Sequence, residues 1–274
     1  MPEDNRQPVL RFDRVTVMFG EIVALSGVSF AAYEGESRVI LGAAGSGKTV
    51  LLKTALGLVK PDSGEVYAFG ENLTTLSERQ LFDIRSKIGV LFQEGALFDS
   101  LNIEENVAYP LLNQRSIRCA PGQVLPRVEE ALEFVELGGT LEKFPSELSG
   151  GMRRRAAIAR AVVTEPPLVL YDSPTAGLDP ITAHTIIALL IKERDVKQTT
   201  TLLVTQRYQD GNLIANFRYN SEQGCIEPAR NGARRAMRTT FMVLRDGRLI
   251  FEGGQDELEE SRDSYISKFV KQRV

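Results

Sequence analysis

Residues 42–49 read Gly-Ala-Ala-Gly-Ser-Gly-Lys-Thr and follow the apolar segment 37–41. This is the GxxxxGK[ST] pattern of a phosphate-binding P-loop, in which a strand, a glycine loop and a helix follow one another. Glycines let several backbone N–H groups converge on one anion, and the helix that begins near Lys48 adds the positive end of its dipole. A glycine-rich turn that matches by chance is the alternative, expected in a chain of this length roughly one time in a hundred. The chain is therefore expected to bind a nucleotide.

Single positions within this loop have distinct predicted roles. The Lys48 ammonium is expected to reach the outer phosphates of ATP, and the Thr49 hydroxyl is expected to bind Mg²⁺. The backbone amides around them are expected to hold other phosphate oxygens. The positions predicted to bind nucleotide here are Gly42, Ala43, Ala44, Gly45, Ser46, Gly47, Lys48, Thr49 and Val50.

The bulk composition narrows the class of protein. The 274 residues are 43% apolar and 25% charged, which suits one large globular domain or a core with a subdomain. A formal net charge of −3 disfavours a broad nucleic-acid-binding surface. There is no apolar stretch of the roughly 20 residues that span a bilayer, no signal-peptide pattern, and no metal-ligand spacing at Cys119 and Cys225. We expect a cytosolic chain that binds no nucleic acid.

Hydrophobic patterning predicts strands that alternate with helices. Residues 8–33 are predicted to form strands, with alternating segments at 9–12 and 15–18 and a turn at Gly20. Further strands are predicted at 39–41, 88–92, 169–171 and 201–205, and helices at 49–59, 129–135 and 149–162. The helix after the P-loop is predicted to stop at Pro61. Such alternation predicts a mostly parallel α/β core, and the more helical segment 95–164 is predicted to be an inserted subdomain.

A second candidate site residue stands at the end of a predicted strand. Residues 168–172 form an apolar run that ends in the carboxylate of Asp172. In P-loop NTPases an aspartate at this place holds Mg²⁺, whereas elsewhere a strand-terminal Asp is often a cap or turn residue. Because a P-loop lies upstream, we interpret Asp172 as a Mg²⁺ ligand.

Residues 148–152 read Leu-Ser-Gly-Gly-Met, which places a serine and two glycines where a helix begins. Alone, this segment is a simple helix cap. Between a P-loop and Asp172 it resembles the LSGGQ signature of ATP-binding cassette (ABC) ATPases, with Met152 in place of the usual Gln. The resemblance implies that Ser149, Gly150 and Gly151 contact a nucleotide, closing the site of a second subunit.

Further stretches resemble the same family and stand in the family's order. The resemblance implies that Phe19 stacks on adenine, that Gln93 joins Mg²⁺ to the helical subdomain, and that residues 176–179 form a loop at the dimer interface. A lone Phe in a strand is more often a core residue, so both interpretations of Phe19 stay open.

The resemblance covers nearly the whole chain and implies its architecture. It implies an α/β P-loop NTPase whose RecA-like core, with an N-terminal antiparallel β subdomain, spans 1–94 and 165–274. The helical signature subdomain would span 95–164. The resemblance also implies a head-to-tail dimer formed with ATP, most simply a homodimer, docked on integral membrane permease subunits. The chain would meet the inner face of the cytoplasmic membrane only through these partners.

A narrower resemblance lies in three segments. Residues 92–101, 105–111 and 145–152 are similar to the Mla/Mce-type ATPases, which energise transport of phospholipids or other lipids across the bacterial envelope. The resemblance implies that ATP binding and hydrolysis, with Mg²⁺, drive lipid transport. Helix packing that carries no substrate information is the alternative explanation of these segments.

Two positions depart from the pattern of an ABC hydrolase. Ser173 stands where the family has a Glu that orients the attacking water, and Gln206 stands where it has a His that contacts the γ-phosphate. The only histidine, His184, lies too far along the chain to replace it and is expected at the surface or partly packed. A site can bind ATP without its water-orienting group, so the hydrolysis rate stays open. We hypothesise that Glu94, beside Gln93, supplies the missing carboxylate.

Two segments near the C-terminus lie beyond these motifs. The segment between Gln206 and Val243 is longer than is usual in this family, and its residues 220–238 are rich in Gly, Asn and Arg. They are expected to form a solvated surface loop, with arginine contacts to lipid headgroups or a permease as the alternative. The apolar spacing within 265–270 predicts a helix packed on the core or on a partner.

Three functions therefore stay open at the level of sequence. The first is the ATPase subunit of an ABC lipid transporter. The second is a nucleotide-gated subunit that binds ATP but hydrolyses it slowly, or only beside a partner ATPase chain. The third is a soluble ABC protein of DNA repair or translation, which the acidic balance and the single cassette disfavour.

Overall fold

Strands and helices alternate along most of the chain, in a computed structural model that describes residues 7–93, 95–114, 117, 119–229 and 238–271. In chain order the strands are β1 (Leu10–Phe19), β2 (Ile22–Ala32), β3 (Ser37–Leu41), β4 (Ser63–Ala68), β5 (Glu71–Asn72), β6 (Ile88–Leu91), β7 (Leu168–Asp172), β8 (Thr200–Thr205), β9 (Phe217–Asn220), β10 (Cys225–Pro228), β11 (Thr239–Arg245) and β12 (Arg248–Gly253). The helices are α1 (Lys48–Ala55), α2 (Glu78–Arg85), α3 (Ile103–Asn113), α4 (Pro121–Phe134), α5 (Gly150–Val162), α6 (Pro180–Lys197), α7 (Tyr208–Asn216), α8 (Gln255–Glu259) and α9 (Ser264–Val270).

A six-stranded sheet carries the nucleotide motifs. Its order is β12-β11-β3-β8-β7-β6, with β12 antiparallel at one edge and the other five strands parallel. Strands β3, β7 and β8 are buried along their whole length, because both faces of a parallel sheet are covered. Parallel strands end at one edge, so the P-loop after β3, Asp172 at the end of β7 and Gln206 after β8 come together there.

The sheet separates two hydrophobic cores. Successive side chains of a strand point to opposite faces of the sheet. The first core lies on the side of α3–α6 and includes Val39 and Leu41, whereas the second core lies on the side of α1 and includes Ile40. The second core also covers the antiparallel sheet β2-β1-β4-β5. This arrangement confirms the predicted α/β fold class.

Helices α3, α4 and α5 form the helical segment. They contact one another and share the first core with the sheet through residues such as Val107, Leu132 and Ile158. All three helices fall within 95–164, while the subdomain boundaries themselves remain a prediction.

The helix after the P-loop is shorter than predicted. The prediction of 49–59 with a stop at Pro61 is wrong, because α1 ends at Ala55 and Gly57 takes a left-handed conformation with φ +63°. The N–H of Leu58 then donates a hydrogen bond to the Lys53 carbonyl at 2.9 Å. Glycine adopts this helix-ending conformation at little conformational energy cost.

The predicted surface loop at 220–238 is in part a β-hairpin. Strands β9 and β10 pair antiparallel and pack against α6, while residues 230–237, which include three of the arginines, lie outside the described residues. The Arg194 guanidinium donates to the carbonyls of Ile214 at 2.5 Å and Phe217 at 2.9 Å. Asp195 accepts a bond from the N–H of Tyr219 at 2.7 Å. Two adjacent charged residues of α6 thus hold the hairpin, a contact that local composition does not reveal.

The predicted C-terminal helix is present as α9, with Ile266 buried in the first core. His184 lies exposed on α6, as expected. Over the described ranges, no helix combines the length and hydropathy needed to cross a membrane.

A buried carboxyl on α6 gives a pH prediction. Burial raises the pKa of Glu193 from 4.5 to about 7, and a hydrogen bond from Thr199 opposes this. The folded chain therefore holds a proton that the unfolded chain releases, so this residue costs stability as pH rises from 4.5 through 7. We expect Glu193→Gln to raise the free energy of unfolding by about 1–3 kcal/mol at pH 8 and by much less at pH 5. Urea melts at both pH values measure this, with Glu129→Gln on exposed α4 surface as control; an equal gain at both pH values would contradict it.

Candidate nucleotide site

The P-loop folds around the ammonium of Lys48. This side chain is buried, and its Nζ donates hydrogen bonds to the carbonyls of Gly42 at 2.8 Å and Ala43 at 2.7 Å. A third bond reaches Ser46 Oγ at 3.3 Å. Burial lowers the pKa of Lys48, and the Asp172 carboxylate partly offsets the effect. Phosphate oxygens in the loop would offer this ammonium stronger, charge-assisted partners than the carbonyls.

The shape of the loop depends on its neighbours in the fold. Gly47 has φ +104°, and a Cβ there would lie 2.5 Å from the Ala24 carbonyl of β2, so only glycine fits. The Ser46 carbonyl accepts a bond from the N–H of Gly247 in the β11–β12 turn at 3.2 Å. The loop is thus held between the antiparallel sheet and the edge of the parallel sheet.

Thr49 and Asp172 meet, as the predicted Mg²⁺ site requires. Thr49 Oγ1 donates to Asp172 Oδ2 at 2.8 Å, across 123 residues of sequence. The hydroxyl of Ser173 donates to the other carboxylate oxygen at 3.2 Å. Asp172 is buried and Thr49 is exposed, so the pair reaches from the protein interior to the surface beside the loop.

These donors suit a magnesium ion. Mg²⁺ prefers oxygen ligands and usually takes one or two carboxylates together with water and substrate phosphates. Asp172 offers one carboxylate and Thr49 one hydroxyl, beside the loop where phosphates are expected. Over the residues that the structure describes, no cluster of three or more His, Cys, Asp or Glu forms an all-protein metal site. The Thr49–Asp172 pair would therefore hold the ion jointly with the nucleotide.

Asp210 is a buried residue at this site that sequence analysis missed. Its Oδ2 accepts hydrogen bonds from Thr175 Oγ1 at 2.7 Å and Thr205 Oγ1 at 2.8 Å. Burial raises its pKa, and these two bonds act in the opposite direction. Thr175 lies two residues after Ser173 and Thr205 lies one before Gln206, so Asp210 links the two segments that carry these positions.

Ser173 and Gln206 have different environments. Ser173 is buried, with φ +48° and its N–H bonded to the Val204 carbonyl at 2.8 Å. This left-handed backbone is uncommon for a residue other than glycine and is typical of functional sites. Gln206 is exposed directly after β8. Neither position offers a group that titrates near neutral pH.

The backbone of Gln93 is tied to the signature helix. Arg154 of α5 is buried, and its guanidinium donates to the carbonyl of Gln93 and, at 3.4 Å, to that of Ala176. One side chain thus joins three predicted motif segments. The Gln93 side chain is exposed, so its contact with Mg²⁺ remains a prediction. Glu94, the hypothesised replacement carboxylate, lies outside the described residues.

The signature segment begins α5. Ser149 Oγ accepts a bond from the N–H of Met152 at 3.2 Å, so the cap uses the backbone of Met152 and tolerates its side chain. Ser149 and Gly150 are exposed, which leaves this helix N-terminus open to an anion. A Cβ on Gly151 would lie 2.6 Å from Thr182 Cγ2 of α6, which explains the second glycine by packing.

Phe19 is a surface residue. It is 52% exposed at the end of β1 and faces Ile22, which is 71% exposed. The core interpretation is therefore wrong, because this hairpin tip extends beyond the second core. Ala24 of the same hairpin lies against Gly47 of the P-loop. The exposed Phe19 ring therefore belongs to the hairpin that packs on the P-loop.

Comparison with known proteins adds independent information. The family model described as ABC transporter matches residues 25–176, from β2 to the segment after Asp172. The chain is 30% identical to the intermembrane phospholipid transport system ATP-binding protein MlaF of Haemophilus influenzae, over 97% of this chain and 91% of MlaF. It is 38% identical to the probable ribonucleotide transport ATP-binding protein mkl of Mycobacterium leprae, over 74% of this chain and 58% of mkl.

A solved structure has the same fold. The ATP-binding cassette MJ0796, determined as a dimer in a post-hydrolysis state bound to ADP and Pi, superposes with a TM-score of 0.71. The match is 31% identical and covers 89% of this chain and 97% of that cassette.

Proposed function

This chain belongs to the ABC transporter ATPase family, and we propose that it is the ATP-binding subunit of a transporter that moves phospholipid or a related lipid across the bacterial envelope. The observation that carries the proposal is the similarity to MlaF along nearly the whole length of both chains. The protein mkl, whose name refers to ribonucleotide transport, is matched over only 58% of its length. The MlaF similarity therefore weighs more for the transported molecule.

ATP and Mg²⁺ are the proposed ligands of the P-loop. Lys48 and the loop amides would hold the phosphates, while Thr49 and Asp172 would hold the ion. The short Thr49–Asp172 contact supports this assignment, since it places two hard oxygen donors together beside the loop. The exposed Phe19 ring would stack on the adenine base.

Two chains are proposed to close the sites together. Ser149 and Gly150 lie exposed at the start of α5, and Asp179 lies exposed where it caps α6. A head-to-tail homodimer would place these residues of one chain over the nucleotide of the other. The dimeric state of the similar cassette MJ0796 supports this arrangement.

A groove between α2 and α3 is the proposed permease contact. It has a volume of about 650 Å³ and is lined by Phe82 and by five polar or charged residues, Glu78, Arg79, Asp83, Asn113 and Gln114. The Phe82 ring is 63% exposed, and beside the lining residues Tyr109 and Leu112 of α3 are 42% and 64% exposed. A short cytoplasmic helix of a permease with an apolar face would bury these side chains. Through it the chain would be held at the inner face of the cytoplasmic membrane.

Phe82→Glu tests the docking surface. A charge in an apolar contact must be desolvated, so we expect the variant to bind permease subunits at least about 10-fold more weakly while it still binds ATP. Val196→Glu, a similar change at an exposed apolar residue of α6, serves as the control. Co-purification with permease subunits and surface plasmon resonance would measure the difference. Equal binding by the two variants would place the contact elsewhere.

Reconstitution tests the transported molecule. The chain and a Mla-type permease complex in proteoliposomes should transfer labelled phospholipid when MgATP is supplied on the side of this chain. A labelled ribonucleotide serves as the competing substrate. Transfer of the ribonucleotide without phospholipid transfer would reject the lipid assignment while leaving the ABC family assignment intact.

A further inference from the structure

The C-terminal helix α9 reaches the P-loop. The N–H of Ala43 donates a hydrogen bond to the Tyr265 hydroxyl at 3.0 Å, and this hydroxyl donates to the Leu244 carbonyl at 3.3 Å. Leu244 belongs to β11, the strand that pairs with β3 directly before the loop. A single phenol thus connects the P-loop backbone, the neighbouring strand and the last helix.

Ala43 is held at both of its backbone polar atoms. Its N–H bonds Tyr265, while its carbonyl accepts from Lys48 Nζ at 2.7 Å and from the N–H of Ser46 at 3.2 Å. Phosphates that attract the Lys48 ammonium would weaken its bond to the Ala43 carbonyl. The Tyr265 bond does not use Lys48, so it would keep this peptide in place as the ammonium turns to the nucleotide.

The ring of Tyr265 is itself held by contacts that do not involve its hydroxyl. Asp263 caps α9 and accepts a bond from the N–H of Tyr265 at 2.7 Å. The Arg245 guanidinium lies 5.5 Å from the centre of the ring and 3.9 Å from the Asp263 carboxylate. Phe269 packs edge-on at 5.3 Å, and the adjacent Ile266 is buried. The hydroxyl can therefore be removed without displacing the ring.

The other C-terminal helix, α8, forms hydrogen bonds with α7. In α8, Gln255 Nε2 donates to the hydroxyl of Tyr208 at 2.8 Å and to Asn212 Oδ1 at 2.8 Å. Both partners lie on α7, the helix that begins two residues after Gln206. The pair α8–α9 thus contacts the P-loop through Tyr265 of α9 and contacts α7, which follows Gln206, through Gln255 of α8.

We propose that Tyr265 is a positioning residue for nucleotide binding, which holds the Ala43 peptide so that the P-loop keeps its phosphate-binding shape. The proposal rests on the P-loop as the nucleotide site, as proposed above. It gives the C-terminal helix, which lies outside the segment matched by the family model, a part in ATP affinity. Tyr265 does not touch the phosphates and acts only through the loop backbone.

Tyr265→Phe tests this inference because it removes one oxygen atom and keeps every ring contact. A hydrogen bond of this kind contributes about 0.5–1.5 kcal/mol, so we expect the dissociation constants of MgATP and MgADP to rise about 2- to 10-fold by calorimetric titration. Tyr67→Phe is the matched control, since its hydroxyl bonds Glu65 on the exposed side of β4, far along the chain from these contacts. This control should bind both nucleotides like the parent chain.

Hydrogen exchange separates positioning from general destabilisation. In Tyr265→Phe the peptide that covers residues 42–49 should exchange faster, while the peptides of β7 and β8 keep their protection. Unchanged dissociation constants would overturn the proposal, whatever the change in melting temperature. A parent chain that binds no nucleotide would instead overturn the proposed function, so the two failures are distinguishable.

Discussion

Ser173→Glu combined with Gln206→His is expected to raise the rate of ATP hydrolysis about 10²–10⁴-fold over the parent chain. In the proposed site Thr49 and Asp172 would hold Mg²⁺ and the P-loop would hold the phosphates, but neither Ser173 nor Gln206 offers a group that titrates near neutral pH. The Ser173 hydroxyl donates a hydrogen bond to the Asp172 carboxylate at 3.2 Å. A carboxylate at residue 173 would orient and deprotonate the attacking water, and an imidazole at residue 206 would contact the γ-phosphate.

The backbone of the site should accept this change. Ser173 already has a left-handed φ of +48°, and its N–H bond to Val204 involves only main-chain atoms. The variant also retains the hydrogen bonds from Thr175 and Thr205 to Asp210, which link the two segments. Steady-state phosphate release, measured with the permease complex present, gives the rate.

Ser173→Gln combined with Gln206→His is the matched control for this gain. Glutamine has nearly the shape of glutamate but cannot accept the proton, so hydrolysis should stay near the parent rate while ATP affinity matches that of the active variant. If the two double variants release phosphate equally fast, a group other than residue 173 supplies the base. Glu94 is then the first residue to substitute.

Lys48→Ala is expected to weaken MgATP binding by at least about 100-fold. Hydrogen bonds to charged groups contribute about 1.5–3 kcal/mol, and this ammonium would form more than one with the outer phosphates. In the parent chain its present partners are the carbonyls of Gly42 and Ala43, which a nucleotide would replace. Equilibrium binding of a fluorescent ATP analogue measures the loss.

Lys53→Ala separates this effect from a general loss of positive charge. Lys53 lies exposed in the last turn of α1, on the same helix that Lys48 begins. The variant should bind MgATP like the parent chain, since it retains every contact of the loop. A comparable loss of affinity in both variants would show that overall charge, and not the Lys48 contacts, governs binding.

The parts of the fold that depend on local pattern could be predicted. Continuous apolar runs predicted β3, β7 and β8 because strands of a parallel sheet are buried on both faces. The pairing of Thr49 with Asp172 was also predictable, since two parallel strands end at one edge and each motif marks one strand end. The end of α1 was predicted wrongly, because the choice between Gly57 and Pro61 as the stop depended on backbone geometry.

Contacts between residues far apart in the sequence could not be predicted from local sequence patterns. Part of the hairpin β9–β10 was predicted to be a loop, because residues 220–238 are rich in Gly, Asn and Arg. Its backbone is held instead by Arg194 and Asp195 of α6. Asp210 lies 35 residues from Thr175, so no spacing rule indicates their hydrogen bond. The strand pattern could not predict that Phe19 is exposed, since the end of β1 extends beyond the hydrophobic core that the rest of the strand packs on.

The P-loop, Asp172 and the signature segment were enough to predict a nucleotide site and the ABC family, because these functions need fixed residue types at fixed spacing. The tertiary structure alone decided how the loop is held. The bond between Ala43 and Tyr265 joins residues 222 positions apart, and Asp210 links the segments of Ser173 and Gln206 through Thr175 and Thr205. The physical reason is that a hydrogen bond depends on the positions of two atoms in space, which only the packing of β11, α7 and α9 on the sheet establishes.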